Sequence, residues 1–167
     1  EEPLPSQDRP GVRAVAQALD IPVSTGENEH DRWAFRDLIA LGDPDILQPD
    51  ILDAGGISEV RRIATLAAIH GKPLMPHSPA TGILLAASTQ LYATLPGGVQ
   101  PHELSTEYGP TPEQLADFLG EGVIPRAGTI TLSDRPGLGL DLDERALEQL
   151  IGPADGAFGL DRPRDTA

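Results

Sequence analysis

Two hydrophobic periods alternate along residues 1–108. Residues 9–19 (RPGVRAVAQAL) place Val12, Val15 and Leu19 at helical spacing, and residues 20–26 (DIPVSTG) then read as a short buried strand. Residues 30–42 (HDRWAFRDLIALG) return to the helical period through Trp33, Phe35, Leu38 and Ile39, with Gly42 suited to the C-terminal cap. Residues 45–50 (DILQPD) predict a strand. Residues 55–71 (GGISEVRRIATLAAIHG) predict a helix with Ser58 near its N-cap, an apolar face through Val60, Ile63, Leu66 and Ala67, and Gly71 as its stop. A strand over 72–78 (KPLMPHS), a long apolar helix over 79–97 and a further strand over 99–105 (VQPHELS) complete the run.

Short strands separated by longer helices are the signature of βαβ units and a parallel sheet, so the fold class is α/β. No G-x-G-x-x-G or Walker pattern opens any of the helices, which removes support for an open nucleotide-binding sheet and favours a (β/α) barrel. Past residue 108 the pattern changes. Residues 111–122 read as a short amphipathic or irregular segment, and 123–132 (VIPRAGTITL) as two strands around a hairpin turn at Ala127-Gly128. A Gly- and Pro-rich turn follows at 136–139, then a helix capped by Asp143, and residues 153–167 read as a loose tail.

Composition narrows the chemistry. The 167 residues are 39% hydrophobic and 23% charged, enough for one globular core, and the core must be aliphatic because aromatics are only 4%. The absence of cysteine excludes disulfides, thiolate metal sites and cysteine nucleophiles. A net charge of −14 repels phosphate backbones and argues against nucleic-acid binding. No apolar run approaches the roughly 20 residues that cross a bilayer, and the acidic, Pro-rich start is unlike a secretory signal. The expectation is a soluble cytoplasmic protein. A start at EEP without methionine is the expectation for a piece of something longer.

In a barrel of this kind chemistry collects at the C-terminal ends of the strands. Those ends carry Glu1-Glu2-Pro3, Gly26-Glu27-Asn28, Pro49-Asp50, Pro76-His77-Ser78 and His102-Glu103, an ionisable group at each of five successive exits. Clustering on otherwise apolar strands points to a functional cleft. Glu1 and Glu27 offer hard oxygen ligands suited to Mg²⁺. Asp50 and His77 can form a dyad in which the carboxylate fixes the imidazole tautomer and raises its basicity. Glu103, if neutral, can donate a hydrogen bond to a developing oxyanion. Plainer roles stand beside these: Asp50 as a cap of loop amides, His77 bonded to a loop carbonyl, Glu2 at the surface or behind the ligands. His70 suits a helix C-terminus, while Asn28, His30 and Arg32 divide between substrate contact and plain surface.

Taken together, EEP (1–3), GEN (26–28), QPD (48–50), the run over 50–67, MPHS (75–78) and PGLGLDL (136–142) resemble the enolase superfamily, specifically its mandelate racemase subgroup with the acid-sugar dehydratases. The resemblance runs from Glu1 to about residue 148 and implies the C-terminal half of a TIM-type barrel. Residues 1–108 would be barrel, 109–152 a hairpin and helix returning to a capping domain absent here, and 153–167 tail. It makes Glu1 and Glu27 two of three carboxylate ligands of Mg²⁺, His77 a general base or acid, Asp50 its partner, and Glu103 the group that hydrogen-bonds a substrate carboxylate. Asn28 and His30 would contact substrate.

The implied reaction is α-proton abstraction from a carboxylate held by the ion, giving an enediolate. That species then loses a β-hydroxyl, as in dehydration of an aldonic or aldaric acid, or is reprotonated, as by a racemase or epimerase of a 2-hydroxy acid. The Lys-x-Lys pair and third metal carboxylate of the family pattern are missing. The sole lysine, Lys72, opens a strand at the end away from the site. The expectation is therefore a fragment inactive alone, with two unpaired sheet edges, from an enzyme that is a homo-oligomer when complete. A glycosidase would also place two carboxylates at strand ends, but needs neither the dyad nor a metal. A non-catalytic half-barrel has support only from the truncation.

Overall fold

The computed structural model describes residues 1–79, 82–95, 101–105, 111–120 and 124–143. In chain order they form α1 (Arg9–Ala18), β1 (Ser24–Thr25), α2 (Arg32–Asp37), β2 (Ile46–Leu47), α3 (Ile57–Ile69), α4 (Ile83–Tyr92) and α5 (Pro112–Leu119). β1 pairs with β2 in parallel, Ser24 opposite Ile46 and Thr25 opposite Leu47. Residues 72–78 continue the sheet through two parallel bridges, Leu47 to Leu74 and Asp50 to His77. The order is sequential and the crossovers are helical, as a (β/α) barrel requires.

The ladders are shorter than the hydrophobic pattern predicts because proline interrupts them. Pro22, Pro44, Pro49, Pro73, Pro76 and Pro101 lie in or beside the predicted strands and have no N–H to donate. Pairing survives between them: Met75 N donates to the Leu47 carbonyl at 2.9 Å and His77 N to the Pro49 carbonyl at 3.2 Å. The strand predicted over 99–105 is described from residue 101, and there Ser105 N reaches the Ser78 carbonyl of the preceding strand, at 3.4 Å.

Helix ends also shift. α2 leads into a π-helical turn over Leu38–Gly42, and Asp43 rather than Gly42 takes the left-handed cap conformation, at φ +47°. Lys72 holds Asp43 from the start of the third strand, 2.5 Å away. α3 is entered through Gly55 and Gly56, both at positive φ, so its N-cap is Gly56 and Ser58 makes no cap bond. Asp31 caps α2 by accepting from Trp33 N and Ala34 N, and Thr111 with Gln114 forms a capping box on α5.

One apolar core lies between sheet and helices: Phe35, Leu38 and Ile39 meet Leu47, Leu74, Val60, Ile63, Ala67, Leu84 and Leu91. Each large side chain so buried contributes about 1.5–3 kcal/mol. On the far side of α4, Ile130, Leu138 and Leu140 pack on Leu85 and Ala86, which seats the PGLGL segment. The predicted hairpin is present as one antiparallel bridge, Arg126 to Thr129, with Ala127 and Gly128 both at positive φ. The helix and tail predicted beyond Asp143 lie outside the described residues. Among the described residues no helix is long and apolar enough to cross a membrane.

Candidate active site

Parallel register brings the third and fourth of the five strand exits together. Asp50 and His77 are bridge partners, and His77 Nδ1 lies 3.0 Å from Asp50 Oδ2. A carboxylate only accepts, so Nδ1 carries the proton, and in the neutral form of the ring the lone pair falls on Nε2. The other oxygen of Asp50 accepts from Leu52 N at 2.7 Å and Asp53 N at 3.3 Å. Asp50 thus makes both kinds of contact that the sequence left open for it, one with each oxygen, and the residue is buried.

His77 Nε2 faces Glu27 Oε2 at 3.4 Å. Asp50, His77 and Glu27 therefore form a line from three successive strand exits, and a proton gained at Nε2 would leave an imidazolium between two carboxylates. Burial raises the pKa of the Glu27 carboxyl; His77 lowers it, and Glu2, Glu1 and Glu103 raise it again by like-charge repulsion. Glu1 and Glu103 are gathered within electrostatic reach of Glu27. Glu103 also accepts from Ser78 N through Oε2 at 2.9 Å, which ties the fifth exit to the residue after His77.

The remaining polar residues divide. Asn28 and His30 are exposed beside Glu27. Arg32 is committed elsewhere, because its guanidinium and its backbone N–H both bind Glu59 of α3. His102 turns away from the cleft: Nδ1 donates to the Glu103 carbonyl at 2.6 Å, and Nε2 lies 2.8 Å from Ser88 Oγ of α4. Burial pushes its pKa down, partly offset by the Glu103 carbonyl and carboxylate.

Glu2 stands behind Glu27, one of the two places the sequence offered it, whereas Gln48 escapes the strand-exit reading. Glu2, at φ +40°, accepts from Thr25 Oγ1 at 2.6 Å and Gly26 N at 2.8 Å, bracing the turn that carries Glu27 while Glu1 stays exposed. Gln48, one layer beneath Asp50 on the same strand, is fully buried, and neither its Oε1 nor its Nε2 has a hydrogen-bond partner among the described residues. Alternation in β2 was the available signal: Leu47 enters the helix-side core, so Gln48 belongs to the opposite face.

Glu1 and Glu27 suit a hard divalent cation as oxygen donors, and the crowding of carboxylates around Glu27 is what such a cation relieves. Among the described residues no group of three ligand side chains converges, so this set is incomplete by itself.

The profile of the family described as "Enolase C-terminal domain-like" matches residues 1–146. The chain belongs to that family. D-galactarolactone cycloisomerase of Agrobacterium fabrum is 35% identical over 157 residues, covering 92% of this chain and 42% of the relative. D-xylonate dehydratase of Haloferax volcanii is 30% identical over 148 residues, 89% of this chain and 35% of that protein. Among solved structures, a mandelate racemase/muconate lactonizing protein from Paracoccus denitrificans complexed with magnesium superposes with a TM-score of 0.78 at 34% identity. It covers 87% of this chain and 38% of that one. The enolase-family chain thus spans about two fifths of its relatives' length, and its fold is the C-terminal half of a TIM-type barrel.

Proposed function

We propose that the intact protein is a Mg²⁺-dependent dehydratase of a sugar acid, an aldonate or aldarate, whose proton transfers run through His77. The observation that carries this reading is the line Asp50–His77–Glu27, with contacts of 3.0 and 3.4 Å. Relatives named as D-xylonate, L-rhamnonate and D-galactonate dehydratases, at 30–33% identity, support the substrate class.

Glu27 and Glu1 would hold the cation, with a further ligand from outside the described residues; when bound, Mg²⁺ supplies positive charge for a substrate carboxylate and for the charge that develops there. Asp50 holds the His77 ring and its Nδ1 proton in place. Nε2, with its lone pair free, accepts the α-proton or, once protonated, delivers a proton to a departing β-hydroxyl. Either way the imidazolium is flanked by Asp50 and Glu27. Glu103, held at Ser78 N, is the group proposed to hydrogen-bond the substrate carboxylate, and Asn28 and His30 line the mouth beside Glu27. In this reading residues 1–108 are the barrel half, 109–152 the connector to a capping domain, and the complete enzyme a homo-oligomer.

A second reading is cycloisomerisation of a sugar-acid lactone, favoured by relatives named D-galactarolactone cycloisomerase and, from Zobellia galactanivorans, 3,6-anhydro-D-galactonate cycloisomerase. Proton NMR in D₂O, with the intact protein, Mg²⁺ and a panel of sugar acids and lactones, separates the possibilities. A keto-acid product with loss of one water is expected. Ring change at constant composition would favour the cycloisomerase, and α-deuterium exchange alone a racemase. H77N is expected to lower kcat about 10²–10⁴-fold, the usual contribution of a positioned acid or base.

A further inference from the structure

The acidic stretch that delivers Glu27 contains a second carboxylate with a different fate. Glu29 is buried, its side chain 7% exposed, and Arg9 Nη2 donates to both its oxygens, at 2.9 Å to Oε2 and 3.2 Å to Oε1. Arg9 is itself fixed. It is the first residue of α1, whose N-cap Asp8 accepts from Gly11 N at 3.0 Å, and its Nη1 lies 3.8 Å from Asp37 at the end of α2. The guanidinium therefore joins α1, the end of α2 and the loop after β1.

Between these anchors the loop has little freedom. Glu29 N donates to the Gly26 carbonyl at 3.1 Å, closing a turn whose second residue is Glu27. Gly26 sits at φ +134°, and a Cβ there would come within 2.9 Å of the Phe35 ring, so its path is set by packing as well. Upstream, Glu2 accepts from Gly26 N and Thr25 Oγ1. Downstream, the Arg9–Glu29 pair is the side-chain anchor. Glu29 does not face His77; Glu27 does.

We propose that Arg9 and Glu29 are positioning residues, a buried clamp that aims the Glu27 carboxylate into the cleft and thereby sets the affinity of the site for a divalent cation. The inference rests on the reading of Glu27 as a cation ligand. Groups behind metal ligands act this way because a ligand held in place pays no ordering cost when the ion arrives; their loss costs about 10–100-fold in affinity.

The test is calorimetric titration of the intact protein with Mg²⁺, free of substrate, on wild type, E29Q, the apolar double variant R9M/E29M and R9K. Removing both charges avoids leaving one buried and unpaired, so the double variant is expected to keep its melting temperature within a few degrees. Its Mg²⁺ affinity is expected to fall about 10–100-fold, with kcat near wild type once Mg²⁺ is saturating. R9K, which retains the charge but not the guanidinium geometry, is expected to weaken binding less and serves if the others fail to fold. A folded E29Q, R9K or double variant that binds Mg²⁺ as wild type does overturns the clamp. E27Q separates the two levels. If E27Q loses Mg²⁺ binding while the clamp variants do not, the clamp alone is wrong. If E27Q binds Mg²⁺ normally, the ligand reading of Glu27 is wrong and the clamp falls with it.

Discussion

Gln48 and Asp50 stand two residues apart on one strand and show opposite ways of burying a polar side chain. Asp50 uses one oxygen for the loop amides of Leu52 and Asp53 and the other for His77. Gln48 has no such partner among the described residues, though it is fully buried. An amide desolvated without hydrogen bonds costs about 1–3 kcal/mol. Q48M, close to isosteric and apolar, is accordingly expected to stabilise this chain by about that amount in urea denaturation. Destabilisation instead would show that the amide is bonded, by water or by a group outside the described residues. The residue scale also separates look-alikes. Glu27 and Glu29 differ by two positions in an acidic stretch, yet one meets His77 and the other Arg9.

At the scale of elements, prolines shorten the strand ladders, while ion pairs hold neighbouring elements together. Arg32 at the start of α2 and Glu59 in the first turn of α3 are the clearest case. Hydrogen bonds from the Arg32 side chain and backbone, joined by Arg62, pull the Glu59 carboxyl down to about 2 from 4.5. A depressed carboxyl pKa means the unfolded chain binds the proton first, so this stabilisation is complete above about pH 4.5 and fades as pH falls toward 2. Thermal melts of wild type and E59Q across that range are expected to show a wild-type advantage at pH 6 that narrows on acidification. Curves that stay parallel would assign the depressed pKa no role in stability. Sequence alone leaves Arg32 between substrate contact and plain surface, since its partner lies 27 residues away.

At the largest scale, the chain folds as half of a closed architecture, and the ligand set among its described residues is partial. Glu27 and Glu1 offer oxygen donors, but among the described residues no three ligand groups converge. The 167-residue chain by itself is therefore expected to show no Mg²⁺-dependent turnover of sugar acids, and robust turnover by it would refute the partial-site account. For the intact protein, a bound ion stabilises by mass action, about 2.7 kcal/mol at a concentration near 100 Kd. A rise in Tm with added Mg²⁺ is expected for wild type and is expected to vanish in E27Q. No shift in wild type would revive a non-catalytic reading.

The α/β class, the strand exits and the residues standing at them were legible in the chain itself, because a period of two or 3.6 and the punctuation of Pro and Gly are local properties. Glu27, Asp50 and His77 could be named that way. The short ladders could not, since each hydrogen bond depends on which residue of another strand lies opposite a proline. Only the tertiary structure decided which polar groups face the cleft. It turned His102 toward Ser88, braced the loop with Glu2, and tied Glu29 to Arg9 across 20 positions. A carboxylate goes to the nearest complementary charge or donor in space, and that neighbour is chosen by packing rather than by sequence distance.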